Sequence, residues 1–166
     1  PQAGALRKAV EDKSVKTVFL QGLVASAAPM LFAGMAGKLQ QTILFVLQDA
    51  DEAGYFYHDL MQVMGNQQVL YFPSSYRRAI KYGQRDAANE ILRTEVLSKL
   101  SSGDPLYIVA SPESLCEWVV SKQKLEERTL QVAVGQTVDM QTLKKSLRAF
   151  EFHEVDYVYE PGQFAV

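Results

Sequence analysis

The segment Phe19-Leu-Gln-Gly-Leu-Val-Ala-Ser-Ala-Ala-Pro-Met-Leu-Phe32 has the layout of a phosphate-binding loop without the residues that bind phosphate. The apolar run at residues 18–20 reads as a strand, Gly22 opens a turn, and small residues lead into an apolar helical pattern. A working loop of the form G-x-x-x-x-G-K-[ST] uses its second Gly for close backbone approach, its Lys for the terminal phosphates and its hydroxyl for Mg²⁺. Counted from Gly22, those places hold Ala27, Ala28 and Pro29. Ser26 stands ahead of the metal-ligand place, and Pro29 removes a backbone N–H where anion sites recruit donors. An ordinary strand-turn-helix connection accounts for the same residues, because Gly is the default residue of such turns.

Asp49, Asp51 and Glu52 follow an apolar run, where a Walker-B carboxylate would sit. Capping of the next helix, with Asp51 as its N-cap, explains them, since no Lys-Ser/Thr loop is present to hold a Mg-nucleotide. Residues 71–85 interleave Tyr71, Phe72, Tyr76 and Tyr82 with Arg77, Arg78, Lys81 and Arg85 at the carboxyl end of a strand. That composition can stack on and neutralise nucleic acid, whereas a solvated loop packed on its own aromatics is the plainer alternative. Lys144, Lys145 and Arg148 read as a solvated helix face. His58 and His153 lack ligand spacing, so no metal site and no cofactor is read. His58 reads as a surface or boundary residue, and Cys116, beside Trp118, as a packing residue and not a nucleophile.

The chain of 166 residues fits one domain, or one domain and a piece of another. With 48% hydrophobic and 22% charged residues it can bury a core. A net charge of −2 gives no global basic footprint for nucleic acid, so any such contact is local. One cysteine excludes an internal disulfide framework and fits a reducing compartment. No window has the length and apolarity of a membrane span or the layout of a signal peptide, so a cytoplasmic protein is expected. The start at Pro1 without an initiator Met and the apolar end at Val166 are read as those of a fragment.

The elements that must position these residues alternate. Strand patterns at residues 17–20, 43–47, 69–72 and 106–110 are separated by helical ones, which implies a doubly wound parallel sheet. The first helix is expected over residues 29–39, and the second carries Ala53, Phe56, Leu60, Val63 and Met64 on one face. A third starts near Asp86 and packs Ala88, Ile91, Leu92, Val96 and Leu100; a fourth has Ser111 as N-cap and Pro112 at its first position. After Glu127 the pattern changes. Residues 129–134 alternate like a strand, Asp139 caps a helix carrying Met140, Leu143, Leu147 and Phe150, and strands at 152–159 and 163–166 flank the Glu160-Pro-Gly162 turn. The division expected is 1–128 for an α/β domain and 129–166 for the beginning of a small α+β domain.

In this order the pieces resemble the N-terminal module of the bacterial transcription-repair coupling factor (Mfd) family, which is similar to the excision-repair protein UvrB. The resemblance rests on the Gly22 loop, Phe45-Val-Leu-Gln-Asp-Ala-Asp-Glu52, His58-Asp-Leu60, Val69-Leu-Tyr-Phe-Pro73 and Ile91-Leu-Arg-Thr-Glu-Val-Leu97. It continues through Leu106-Tyr-Ile-Val-Ala-Ser-Pro-Glu-Ser-Leu115 and Val134-Gly-Gln136 to Glu160-Pro-Gly-Gln-Phe-Ala-Val166, which is similar to the family's E-x-G-x-F-A segment. It implies a RecA-like, P-loop-NTPase-like domain with a degenerate nucleotide loop, followed by the truncated start of a UvrA-binding domain. Phe164, His153 and Glu160 would edge the UvrA-facing surface. The Arg that follows E-x-G-x-F-A in the family is absent here, where the sequence ends at Val166, and His153-Glu154 occupy a place often basic in relatives. Residues 71–85 leave no room for the DNA-clamping hairpin of UvrB, which favours a coupling factor.

The resemblance implies a non-catalytic scaffold in nucleotide-excision repair that helps recruit UvrA to stalled RNA polymerase. The whole parent would be an ATP-dependent DNA translocase whose other domains meet RNA polymerase and double-stranded DNA. The competing readings are a nucleotide- or small-ligand-binding α/β domain with a non-standard loop, and a weak single-stranded DNA-binding module using Arg77, Arg78, Lys81 and Arg85.

Overall fold

Three short apolar runs, β1 (Ile43–Val46), β2 (Val69–Phe72) and β3 (Tyr107–Ala110), pair in parallel in the order β1-β3-β2. The computed structural model describes residues 2–36, 39, 41–65, 69–76 and 85–166. Ile43 and Val69 both register with Tyr107, so Phe45, Tyr71 and Val109 share one face and Leu44, Leu70 and Ile108 the other. The continuous apolar sequence of β3 is explained by its central place, for all of its residues are buried.

Helices cover both faces. On the first, α2 (Ala27–Ala36) and α3 (Ala50–Met64) pack Ala36, Ala53, Phe56 and Leu60 against Phe45, Val69, Tyr107 and Val109. Each large side chain fully buried there contributes about 1.5–3 kcal/mol. The Tyr107 hydroxyl donates to the Ala36 carbonyl at 2.5 Å, satisfying both the buried phenol and the last turn of α2. On the second face α4 (Ala87–Ser102) sets Val96 against Leu70, Phe72, Ile108 and Ala110. A third cluster joins Leu6 of α1 (Gln2–Glu11) to Met35 and Leu39.

Beyond β3 come α5 (Pro112–Leu115), α6 (Lys122–Glu127) and α7 (Met140–Ala149). The strands β4 (His153–Glu154) and β5 (Gln163–Phe164) then pair in parallel. The chain is thus mixed α/β, with two small parallel sheets among the described residues.

Several expectations are corrected. Residues 17–20 form no strand: 15–24 are irregular and exposed, with Phe19 at 85% exposure. Their apolar run matches that of β1, but a strand exists only through a partner, and these residues have none in the sheet. Residues 129–134 are likewise irregular and exposed, and the strands expected at 152–159 and 163–166 shorten to β4 and β5. Helix α2 begins at Ala27, two positions before the expected start. In α4 the buried positions are Arg93 and Val96, whereas Ala88, Ile91 and Leu100 are exposed. Asp139 caps α7 as expected, accepting from the Thr142 N–H at 2.9 Å, although α7 buries no residue fully.

Candidate functional site

The loop at Gly22 keeps the turn its sequence suggests. Gly22 has φ +81, and Ala25 is also left-handed at φ 49, a conformation that costs a residue with a Cβ about 1–2 kcal/mol. Ser26 precedes α2, and its carbonyl accepts the Met30 N–H at 3.1 Å. Pro29 therefore falls in the first helical turn, where no intrahelical N–H bond is lost, and its ring is fully buried. Ala28 packs against the α2-α3 cluster.

Between this loop and α3 lies a cavity of about 630 Å³ whose charged lining is Glu52 and Asp59. No Lys or Arg lines it among the described residues. Two carboxylates beside a helix start oppose a polyphosphate, and Tyr55, at 76% exposure, adds an aromatic wall. The cavity suits a neutral or cationic group better than a nucleotide. Asp49, not Asp51, is the N-cap of α3: its extended backbone (φ −147, ψ 179) precedes the helix, and its carboxylate accepts the Asp51 and Glu52 N–H groups at 2.9 Å. Asp51 already lies inside the helix.

The basic-aromatic segment divides. Arg77, Arg78 and Lys81 lie outside the described residues. Arg85 bridges to Tyr76 through the backbone and donates to Glu90 at 2.8 Å. The Glu90 hydrogen bond and charge hold the Arg85 pKa above its ordinary value. Its cation is thus already partnered.

Beneath Arg85 is a buried polar clamp that the sequence reading missed. Arg93, 6% exposed, donates from Nη1 to the carbonyls of Pro73 at 2.7 Å and Ser114 at 3.0 Å, and its guanidinium lies 4.1 Å from the Phe72 ring centroid. Glu117 stands 3.5 Å away and accepts from the Ser74 and Ser75 hydroxyls, both at 2.5 Å, and from the Ser75 N–H at 3.0 Å. Burial pushes the Glu117 carboxyl up, but these hydrogen bonds and Arg93 outweigh it and leave the pKa lowered. Burial likewise lowers Arg93, opposed by Glu117 and Glu90. The clamp joins the end of β2 to α4 and to the turn after α5. The one local signal for it was Arg93 standing in the helical row of Val96 and Leu97.

In the turn after α5 Cys116 is exposed and so does not pack as expected, and its neighbour Trp118 is 99% exposed. In α5 Ser111 is the N-cap and Pro112 opens the helix, as expected, and the Ser114 hydroxyl accepts the Ser111 N–H at 3.2 Å and donates to the Ser111 carbonyl at 2.8 Å. His58 is exposed beside the Tyr57 ring, at 5.6 Å between centroids.

Of the residues assigned to a docking surface, His153 and Glu160 are exposed and Phe164 is buried at 8% exposure. The strand pair brings His153 beside Gln163: the His153 N–H donates to the Gly162 carbonyl at 2.8 Å, and the Val155 N–H to that of Phe164 at 2.9 Å. The Gln163 Oε1 accepts the N–H groups of Tyr159 and Glu160, which closes the turn. Glu154 pairs with Lys144 at 2.8 Å and with Arg148, so part of the basic face of α7 is neutralised. Among the described residues no group of three or more His, Cys, Asp or Glu is placed to hold a metal, and no helix is long and apolar enough to cross a membrane. No protein-family model matches the chain, and no curated protein matches it significantly.

Proposed function

We propose that the chain is a non-catalytic docking module of the kind that opens transcription-repair coupling factors. On this reading a RecA-like α/β unit has lost its nucleotide chemistry, and the segment carrying His153 and Glu160 faces UvrA. The observation that carries the non-catalytic part is the Gly22 loop: Ala27, Ala28 and Pro29 replace the phosphate-binding residues, and the adjoining cavity presents Glu52 and Asp59. The ordered resemblance of segments from Gly22 to Val166 supports the assignment to repair. RNA polymerase and duplex DNA are partners of the parent protein's other domains.

Calorimetric titration with Mg-ATP and Mg-ADP, together with a phosphate-release assay, tests the loss of nucleotide chemistry. No binding heat and no turnover are expected. Turnover abolished by Ser26→Ala would overturn this part. Capture of purified UvrA on the immobilised chain, weakened by His153→Ala or Glu160→Ala, tests the docking part; an interaction indifferent to both removes these residues from the surface.

A further inference from the structure

Strand β1 is an open edge. Its register with β3, together with the bonds from the Ile43 N–H to the Leu106 carbonyl at 2.8 Å and from the Leu47 N–H to the Ala110 carbonyl at 3.0 Å, turns the backbone groups of Ile43, Phe45 and Leu47 inward. The N–H and C=O groups of Leu44 and Val46 consequently point outward, to the side where no described residue forms a strand. The side chains of the same two residues are 48% and 51% exposed, although they lie on the face that α4 buries over β2 and β3. From Gln41 to Gln48 the sequence carries no charge and no proline, so neither of these edge-protecting devices is present. Residues 18–23 do not pair with it: Val18 and Leu20 line a cavity with Leu6 of α1 and Leu31 of α2, and Leu23 reaches only the Leu47 end of the strand.

We propose that this edge pairs with β1 of a second copy of the chain, antiparallel about a twofold axis through Phe45. With Phe45 on the axis, Leu44 faces the second copy's Val46. The outward N–H of each donates to the outward C=O of the other, and the twofold repeats the exchange. One strand pairing thereby satisfies every outward backbone group of both residues. The exposed Leu44 and Val46 side chains of both copies meet on one face as a cross-strand apolar cluster, continuing the surface under α4. Thr42 falls opposite the second copy's Gln48, which puts polar residues at both ends. Self-complementarity of this kind is what a twofold interface requires, and the uncharged edge adds no repulsion to it. The pairing uses no residue of the Gly22 loop or of the segment assigned to UvrA, so it stands or falls apart from the proposed function.

The test is sedimentation equilibrium of the purified chain over a wide concentration range. A species of twice 18.6 kDa is expected to grow with concentration. Leu44→Pro removes an outward N–H and no bond to β3, and Val46→Lys places a charge on the edge; each is expected to weaken the dimer about tenfold or more with circular dichroism unchanged. Should either variant misfold, Leu44→Cys with Val46→Cys in a Cys116→Ser background keeps the question open to measurement, because facing residues on paired strands are close enough for a disulfide. Mild oxidation should then yield a covalent dimer. A chain that stays monomeric at all concentrations and forms no covalent dimer overturns the proposal, as does a dimer that both edge variants leave at full strength.

Discussion

Glu117→Ala withdraws one carboxylate from a cluster in which every partner depends on it. The Ser74 and Ser75 hydroxyls and the Ser75 N–H lose their acceptor, and Arg93 loses its counter-charge at 6% exposure. Removing one member of a buried ion pair costs about 3–5 kcal/mol, because the remaining charge is stranded. Two features pull the value to the lower end. The Arg93 guanidinium keeps the Pro73 and Ser114 carbonyls, and the Glu117 side chain is 15% exposed, so water can enter where it stood. A loss of about 3 kcal/mol is expected, a large share of the roughly 5–15 kcal/mol of a typical domain.

Urea unfolding followed by far-ultraviolet circular dichroism measures it, with Arg93→Met and the double variant completing a cycle. The double variant should be less destabilised than the two single ones summed, by about 1 kcal/mol or more. The pH dependence has a definite sign. The Glu117 carboxyl is lowered in the folded chain, so its contribution is fully present above the ordinary glutamate range and is lost as pH falls through the folded value. The gap between the parent chain and Glu117→Ala should therefore narrow in acid. A loss below about 1 kcal/mol at neutral pH, or additive single effects, would refute the clamp as a stabilising unit.

Asp49→Ala deletes the carboxylate that satisfies two N–H groups at the start of α3, and should cost about 1 kcal/mol in the same urea assay. An unchanged midpoint would show that the cap is not formed. Trp118 is the sole tryptophan and is 99% exposed, so native emission should already be that of a hydrated indole and should move little on unfolding. A strongly blue-shifted native spectrum would contradict the placement of the turn after α5.

The parts of the fold legible in the sequence are those fixed by neighbours along the chain. β1, β2 and β3 announce themselves as uninterrupted apolar runs, and Asp86 and Asp139 as caps, because a carboxylate at a helix start finds its donors within three residues. What the sequence concealed is decided by distant partners. Residues 18–20 form an apolar run like that of β1, yet pairing depends on the sheet and not on composition. Glu117 carries no local mark of burial and Arg93 only its place in the helical row of Val96 and Leu97, since each is buried by the other and by carbonyls that only the fold brings near. Cys116 misled in the opposite sense: it reads as a packing residue, and the turn after α5 leaves it exposed beside the exposed Trp118.

The Gly22 loop differs from a phosphate-binding loop in its surroundings as well as in its residue types. The turn survives because Gly22 and Ala25 still hold left-handed backbone. The places that would contact phosphate have been drawn into packing: Ala28 lies against the α2-α3 cluster, and Pro29 is fully buried. A lysine at position 28 would have to bring a charge out of apolar surroundings, at a cost of desolvation that only a fixed anion offsets. The nearest fixed charges along the cavity, Glu52 and Asp59, are of the sign that would pair with that lysine and so withhold it from phosphate. A hydroxyl at position 29 would replace a buried ring and leave a polar group to be satisfied there. Phosphate binding is consequently not one substitution away, since the neighbouring packing and the sign of the cavity both oppose it.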